Sequence, residues 1–471
     1  MSIRIGFALG PSFSEIVATD DQLQLLSEAR FYHSFDPPNL ALKKVIQQLT
    51  DDKILTEKNP IKSIVITNSL LDKIMDTKLG GSVAQVVTSG FEHWALIRQP
   101  SKQKQYDLSP TRAEALASKE LIFGLSERIT QDGKVLQSIK NEELEMIDSK
   151  LKLMGITKVC INLIFANKNP SHQILATEFF KKQGYEVFSI HRNKDSDDEV
   201  PAWRINLLNA CLFGSFTEIH ESFIALGIDK DVIFYTDQYG KPQMMDSNLI
   251  SSFHYSWLTH FSDISRFSTA KGKSKQNIDA DILYLGLEKW SLISSTRRSR
   301  YQKTAWGPIE MNLPENKRIS IQPTMELGAG LHSPFAITSI EKGFEPGPMS
   351  FGRSAVPLVS DIMLSLFPSA QLARYRNQSG LNKFKDYLIT QTKAHPELNH
   401  LNEAQLQQEM MQMILNLITQ EAELFSTKKI LITGFWAQTL GPLLTELTDQ
   451  FIYEKSSNDC MEALMCIKAT I

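Results

Sequence analysis

Residues 343–353 read Gly-Phe-Glu-Pro-Gly-Pro-Met-Ser-Phe-Gly-Arg, and Val359-Ser360-Asp361 follows shortly after. Glycine opens backbone conformations closed to other residues, and proline holds φ near −65°. Three glycines and two prolines in eleven positions therefore specify one backbone path. Other candidate chemistry is weaker. Gly272-Lys273-Ser274 matches the end of a phosphate-binding P-loop, but Phe267 stands where its first glycine belongs. His220-Glu221 would begin a zinc-protease helix, yet Ile224 occupies the second histidine position. The remaining histidines lack ligand spacing, so no metal site is expected. Arg297, Arg298, Arg300 and Lys303 form a basic cluster. In an acidic chain this reads as a solvated face, with an anion or partner site as the alternative.

The elements that must position these residues alternate between strand-like and helix-like runs, which predicts an α/β architecture. Strands are expected at residues 3–9, 61–67, 83–88, 158–165 and 185–190, and a second series at 232–235 and 281–287. Lys158–Phe165 is almost wholly apolar, as in a strand buried on both faces. Asn169-Pro170 opens a helix to about Lys182, with Pro170 where a missing N–H is harmless. Leu406, Met410, Met413, Ile414, Leu417 and Ile418 recur at helical spacing and read as core. A strand at 429–433 and a helix at 438–450 follow. Thr269–Asn277, rich in lysine and small polar residues, reads as a loop. The pattern breaks near 190–230.

A chain of 471 residues exceeds what one core serves, so at least two domains are expected, at 1–215 and 216–471. A net charge of −3 argues against a nucleic-acid or anionic-membrane partner. No leader-like start and no run of about 20 apolar residues is present. The four scattered cysteines show no metal-type pairing. Together these point to a cytoplasmic protein with reduced thiols.

The Gly/Pro segment with Val359-Ser360-Asp361 resembles the PGP-x-x-Y-G-R-G…T-x-T-D signature of the hydantoinase A/5-oxoprolinase family. Thr67-Asn68-Ser69-Leu70-Leu71 resembles its T-N-A-L-L segment. Val87-Thr88-Ser89-Gly90-Phe91, Ile97-Arg98-Gln99 and Tyr106-Asp107-Leu108 resemble VTT-x-GF…IGRQ…YDL. Glu127-Arg128-Ile129 with Asp132-Gly133 is similar to ERI-x-x-DG, and Asn169-Pro170-Ser171-His172 to N-P-x-H. The resemblance implies a two-lobed α/β fold of the actin/sugar-kinase/heat-shock-chaperone ATPase type, which is ribonuclease H-like. It implies ATP and Mg²⁺ as cofactors, a cyclic amide or related metabolite as ligand, and a second hydantoinase-type subunit as partner.

The phosphate machinery that the family would supply is altered. Its first glycine-rich hairpin, D-x-G-G-T-x-T-D, corresponds to Ala8-Leu9-Gly10-Pro11-Ser12-Phe13-Ser14-Glu15. Ala8 replaces a carboxylate, and Pro11 removes an N–H that would point at phosphate. The second hairpin, Tyr284-Leu285-Gly286-Leu287-Glu288-Lys289-Trp290-Ser291, keeps Gly286 among bulky neighbours. Gly328-Ala329-Gly330 resembles V-G-A-G-G-G in part, and Gly434 with Gly441-Pro442-Leu443 resembles G-G-x-G-P-L. By resemblance the degenerate ligand loops are Gly10, Ser12, Ser14, Gly286, Gly328, Gly330 and Gly434. Arg98, Tyr106, Asp107 and Asp361 are cleft candidates, or alternatively structural braces. The expectation is a family member whose ATPase is weakened or lost, with a non-catalytic binding or scaffolding homologue as the alternative. No residue stands out as a catalytic base.

Overall fold

The computed structural model describes residues 2–10, 12–34, 37–68, 82–96, 118–189, 199–236, 242–244, 280–304, 307–328, 336–341, 347–367, 372, 375–395, 400–453, 460, 463, 464 and 467. Its first sheet is built from β1 (Ile3–Leu9), β2 (Phe13–Thr19), β3 (Leu25–Tyr32) and β4 (Ile61–Asn68). A second sheet holds β5 (Val83–Thr88), β6 (Ile122–Leu125), β9 (Lys158–Asn162) and β10 (Glu186–Phe188); the short hairpin β7 (Arg128–Ile129) and β8 (Val135–Gln137) stands apart. β11 (Ile233–Thr236) and β12 (Pro242–Gln243) return to the first sheet, giving the order β12-β11-β4-β1-β2-β3. The third sheet has the order β15-β14-β13-β18-β19. It comprises β13 (Ala280–Leu285), β14 (Trp290–Thr304), β15 (Gly307–Arg318), β18 (Lys429–Thr433) and β19 (Phe451–Tyr453). β16 (Met325–Gly328) and β17 (Ala336–Glu341) form a separate pair.

The first and third sheets repeat one plan. In β3-β2-β1-β4-β11 the three leading strands are antiparallel and the last two join in parallel. In β15-β14-β13-β18-β19 the directions are the same. Even the first turns agree: the Gly10 amide donates to the Phe13 carbonyl at 2.8 Å and the Gly286 amide to Lys289 at 3.0 Å. This is the two-lobed α/β fold expected, with the second sheet inserted between β4 and β11.

β11 differs from the reading that placed it in a second series. Its parallel pairing with β4 joins residues far apart in sequence, which alternation along the chain cannot reveal. The division expected at 215/216 falls inside the helix Glu199–Ile224. That helix serves two cores. Ile205, Leu208 and Phe223 face the first sheet's core, and Trp203, Leu207, Ala210 and Cys211 face that of the inserted sheet. A helix apolar on several sides is one buried on several sides.

The second lobe is covered by helices Val359–Leu366, Gln378–Ala394, Glu403–Phe425 and Ala437–Leu447. Asn402 caps the third, accepting from Gln405 N while the Gln405 side chain returns to Asn402 N. Leu406, Met410, Ile414 and Ile418 are fully buried along its inner stripe. Met413 and Leu417 pack beside them, as their spacing predicts. Each fully buried side chain of this kind contributes about 1.5–3 kcal/mol. The run Lys158–Phe165 ends as a strand at Asn162; the chain then turns, and Phe165 takes a left-handed φ of 57°. Among the described residues no helix is long and apolar enough to cross a membrane.

Candidate functional site

The first hairpin joins β1 to β2 with Ala8 opposite Glu15. Ala8 is almost fully enclosed, and Glu15, the one carboxylate in residues 8–15, is 7 % exposed. Glu15 is held in a buried ion pair. Its Oε1 accepts from Arg30 Nη2 at 2.8 Å and Nε at 3.1 Å. The Arg30 guanidinium in turn lies 4.4 Å from the centroid of the Phe435 ring. One contact therefore ties the first hairpin to the turn that follows β18 in the other lobe. Arg30→Lys keeps the charge but loses the planar fork and the stacking; it is expected to lower stability by about 1–2 kcal/mol in denaturant melts.

Ser14 is fully buried with its hydroxyl 2.8 Å from His33 Nε2, and the Ser12 carbonyl accepts from His33 N. Both serines thus brace the hairpin against the residue that follows β3. Phe13 stacks on Tyr32 with centroids 4.8 Å apart, and Tyr375 meets both rings edge-on. Pro11 lies outside the described residues.

In the second hairpin Tyr284 lies against the Gly286 backbone. A Cβ on Gly286 would stand 2.6–2.8 Å from the Tyr284 ring and hydroxyl. Tyr284 is buried with the first lobe's core, whereas Leu287 and Trp290 turn into the core of the second. The bulk beside Gly286 is therefore Tyr284, and the Trp290 indole instead donates to the Gly286 carbonyl at 3.1 Å. Gly434, at φ 103°, brings its backbone against Leu285 O and Gly286 N. Trp436 N donates to Leu285 O at 2.9 Å and its indole to Leu287 O at 3.3 Å. Gly286 and Gly434 are thus brought together, with their surroundings filled by protein. Gly328 ends β16, paired with Ala336; Gly330 lies outside the described residues.

Of the cleft candidates, Arg98, Tyr106 and Asp107 lie outside the described residues. Asp361 is fully enclosed and accepts from Met349 N, Ser350 N, Ser350 Oγ and Leu358 N at 2.6–3.0 Å. Burial pushes its carboxyl above the usual range, while those donors pull the other way. With its oxygens committed to its own chain, Asp361 is the structural brace of the two alternatives. It holds the Gly/Pro segment, where Gly347 and Gly352 take φ values of 102° and 76°. Phe351 and Arg353 of that segment reach Tyr32 of β3, so the segment stands between the lobes.

Cys160 and Cys211 are buried and free. Burial pushes the Cys160 thiol well above its usual range and that of Cys211 up to about 12. Neither is a thiolate nucleophile at neutral pH. Arg297 bonds Glu315 and Phe425 O, so at this residue the basic cluster serves the fold. No metal-ligand group of three or more occurs among the described residues. Sequence alone marks neither Arg30 nor His33 as part of this hairpin; the pairing of β2 with β3 sets Arg30 opposite Glu15.

The profile for the "Hydantoinase/oxoprolinase N-terminal region" matches residues 4–184. An uncharacterized protein of Methanocaldococcus jannaschii is 24% identical over 229 residues, covering 48% of this chain and 33% of its own length. The chain thus aligns with about a third of that curated relative. The crystal structure of an ATP-dependent caprolactamase from Pseudomonas jessenii superposes with a TM-score of 0.71 at 16% identity, over 98% of this chain and 70% of that one. A nucleotide-free acetone carboxylase gives 0.70 at 12% identity over the same shares. At such identities these two likenesses are of fold. Residues 4–184 thus match the N-terminal region of the hydantoinase/oxoprolinase family, and the chain shares the fold of these two proteins.

Proposed function

We propose that this protein descends from ATP-dependent cyclic-amide hydrolases, that its Mg-ATP binding is weakened or lost, and that it retains a capacity to hold a small cyclic amide or related metabolite. The observation that carries this reading is the ion pair of Glu15 with Arg30. The remaining carboxylate of the first hairpin is neutralised and buried, where an ATPase of this fold needs carboxylates to order Mg²⁺ and water. Ala8 and Tyr284 support it: one supplies no ligand, and the other lies against the Gly286 backbone. Each absent charge-assisted hydrogen bond removes about 1.5–3 kcal/mol of phosphate affinity. At the limit the protein is a non-catalytic binding or scaffolding homologue that works with a second hydantoinase-type subunit. A cytoplasmic location goes with this reading and with the free thiols of Cys160 and Cys211.

Local repair tests it. Ala8→Asp with Pro11→Gly restores a carboxylate and an amide to the first hairpin. The pair is expected to raise Mg-ATP affinity at least about tenfold over the unaltered chain, or 1.4 kcal/mol. A folded double variant with unchanged affinity would refute a loss located in that hairpin.

A further inference from the structure

The inserted sheet is parallel throughout, in the order β10-β9-β5-β6. From β5 the chain first builds β6 on one side and then β9 on the other, so the direction of winding switches between β5 and β9. Open parallel sheets bind ligands beyond the carboxyl ends of their strands at such a point.

Buried polar side chains from separate elements meet there. Thr88, the last residue of β5, accepts from Ile164 N at 3.0 Å and donates to Glu127 Oε1. Glu127 Oε2 lies 2.6 Å from His172 Nδ1, in the first turn of the helix Ser171–Lys182. Thr88, Glu127 and His172 are 1 %, 3 % and 6 % exposed. Phe165, with its left-handed φ, donates its N–H to Glu199 at the same strand end. Glu127 and His172 belong to two family-like segments for which sequence alone offered no purpose.

The chain of bonds has a direction. A carboxylate at Nδ1 requires the ring proton on Nδ1, so in the neutral ring Nε2, on the far side from Glu127, carries a lone pair. A ligand at Nε2 must then bring a hydrogen-bond donor. Glu92, bonded to Gly90 N, and Glu199 add negative charge near these strand ends and disfavour an anion. The Arg128 guanidinium lies over the Phe91 ring.

We propose that the carboxyl ends of β5 and β9 form a small-ligand site in which His172 Nε2 accepts the ring N–H of a neutral cyclic amide. The ligand class rests on the cyclic-amide reading above; the site does not depend on nucleotide binding. The test uses the full chain with ¹⁵N-labelled histidine and hydantoin as the probe. Saturable movement of the His172 Nε2 resonance is expected. His172→Asn, which can keep the bond to Glu127 while removing Nε2, should weaken hydantoin binding at least about tenfold by calorimetry with little change in melting. Equal affinity in both proteins, or an unmoved His172 resonance at saturating hydantoin, overturns the site and leaves the cyclic-amide reading standing. If hydantoin, 5-oxoproline and caprolactam all fail to bind the unaltered chain, the reading and the site fall together. Should His172→Asn not fold, the resonance in the unaltered chain decides.

Discussion

Asp361→Ala is expected to cost about 3–5 kcal/mol, enough to leave a marginal domain partly unfolded at room temperature. The reason is the number of donors that lose their acceptor together. Met349 N, Ser350 N, Ser350 Oγ and Leu358 N all converge on this one buried carboxylate. Each would be stranded away from water, because the loop that carries them is itself enclosed. Urea titration of the two proteins measures the difference. Asp361→Asn should fall between them, since its amide oxygen still accepts while its NH₂ meets donors. Had Asp361 faced a ligand instead, Asp361→Ala would leave the midpoint within about 0.5 kcal/mol of the parent.

Gly380→Ala should be destabilising by about 2–3 kcal/mol or more, although a Gly-to-Ala change in a helix ordinarily stabilises by up to about 1 kcal/mol. The helix Gln378–Ala394 starts at the cap Asn377, whose Oδ1 accepts from Ser379 N and Gly380 N. At its first turn the helix backbone rests on the Gly/Pro segment. A Cβ on Gly380 would stand 2.3 Å from Met349 O and 2.6 Å from Gly352 N, both main-chain atoms of the loop that Asp361 holds. Neither can swing aside as a flexible side chain would. A thermal melt decides by sign: a raised Tm would mean that loop and helix are not in contact.

What could be read from the sequence follows from how local each cause is. Lys158–Asn162 and Lys429–Thr433 were legible because a strand covered on both faces must be apolar along its whole length. The Leu406 to Ile418 stripe was legible because one helix carries its own period. The end of the 158–165 run was not, since Phe165 adopts a left-handed φ despite a strand-like side chain. β11 joins the first sheet and not the second series because its partner, β4, lies far back in the chain, beyond the reach of local alternation. The Gly/Pro segment announced a fixed path, and Gly347 and Gly352 follow it. Its brace depended on which way Asp361 points. Within the candidate site, Ala8 and Tyr284 stood out as altered positions, but the Glu15–Arg30 pair needed β2 and β3 to be laid side by side.

Calorimetric titration of the unaltered chain with ATP and Mg²⁺ tests the central claim most directly. With Glu15 held by Arg30, Ala8 offering no ligand and Tyr284 against Gly286, no saturable binding in the micromolar range is expected. Micromolar affinity, accompanied by ATP hydrolysis when hydantoin or 5-oxoproline is supplied, would contradict it.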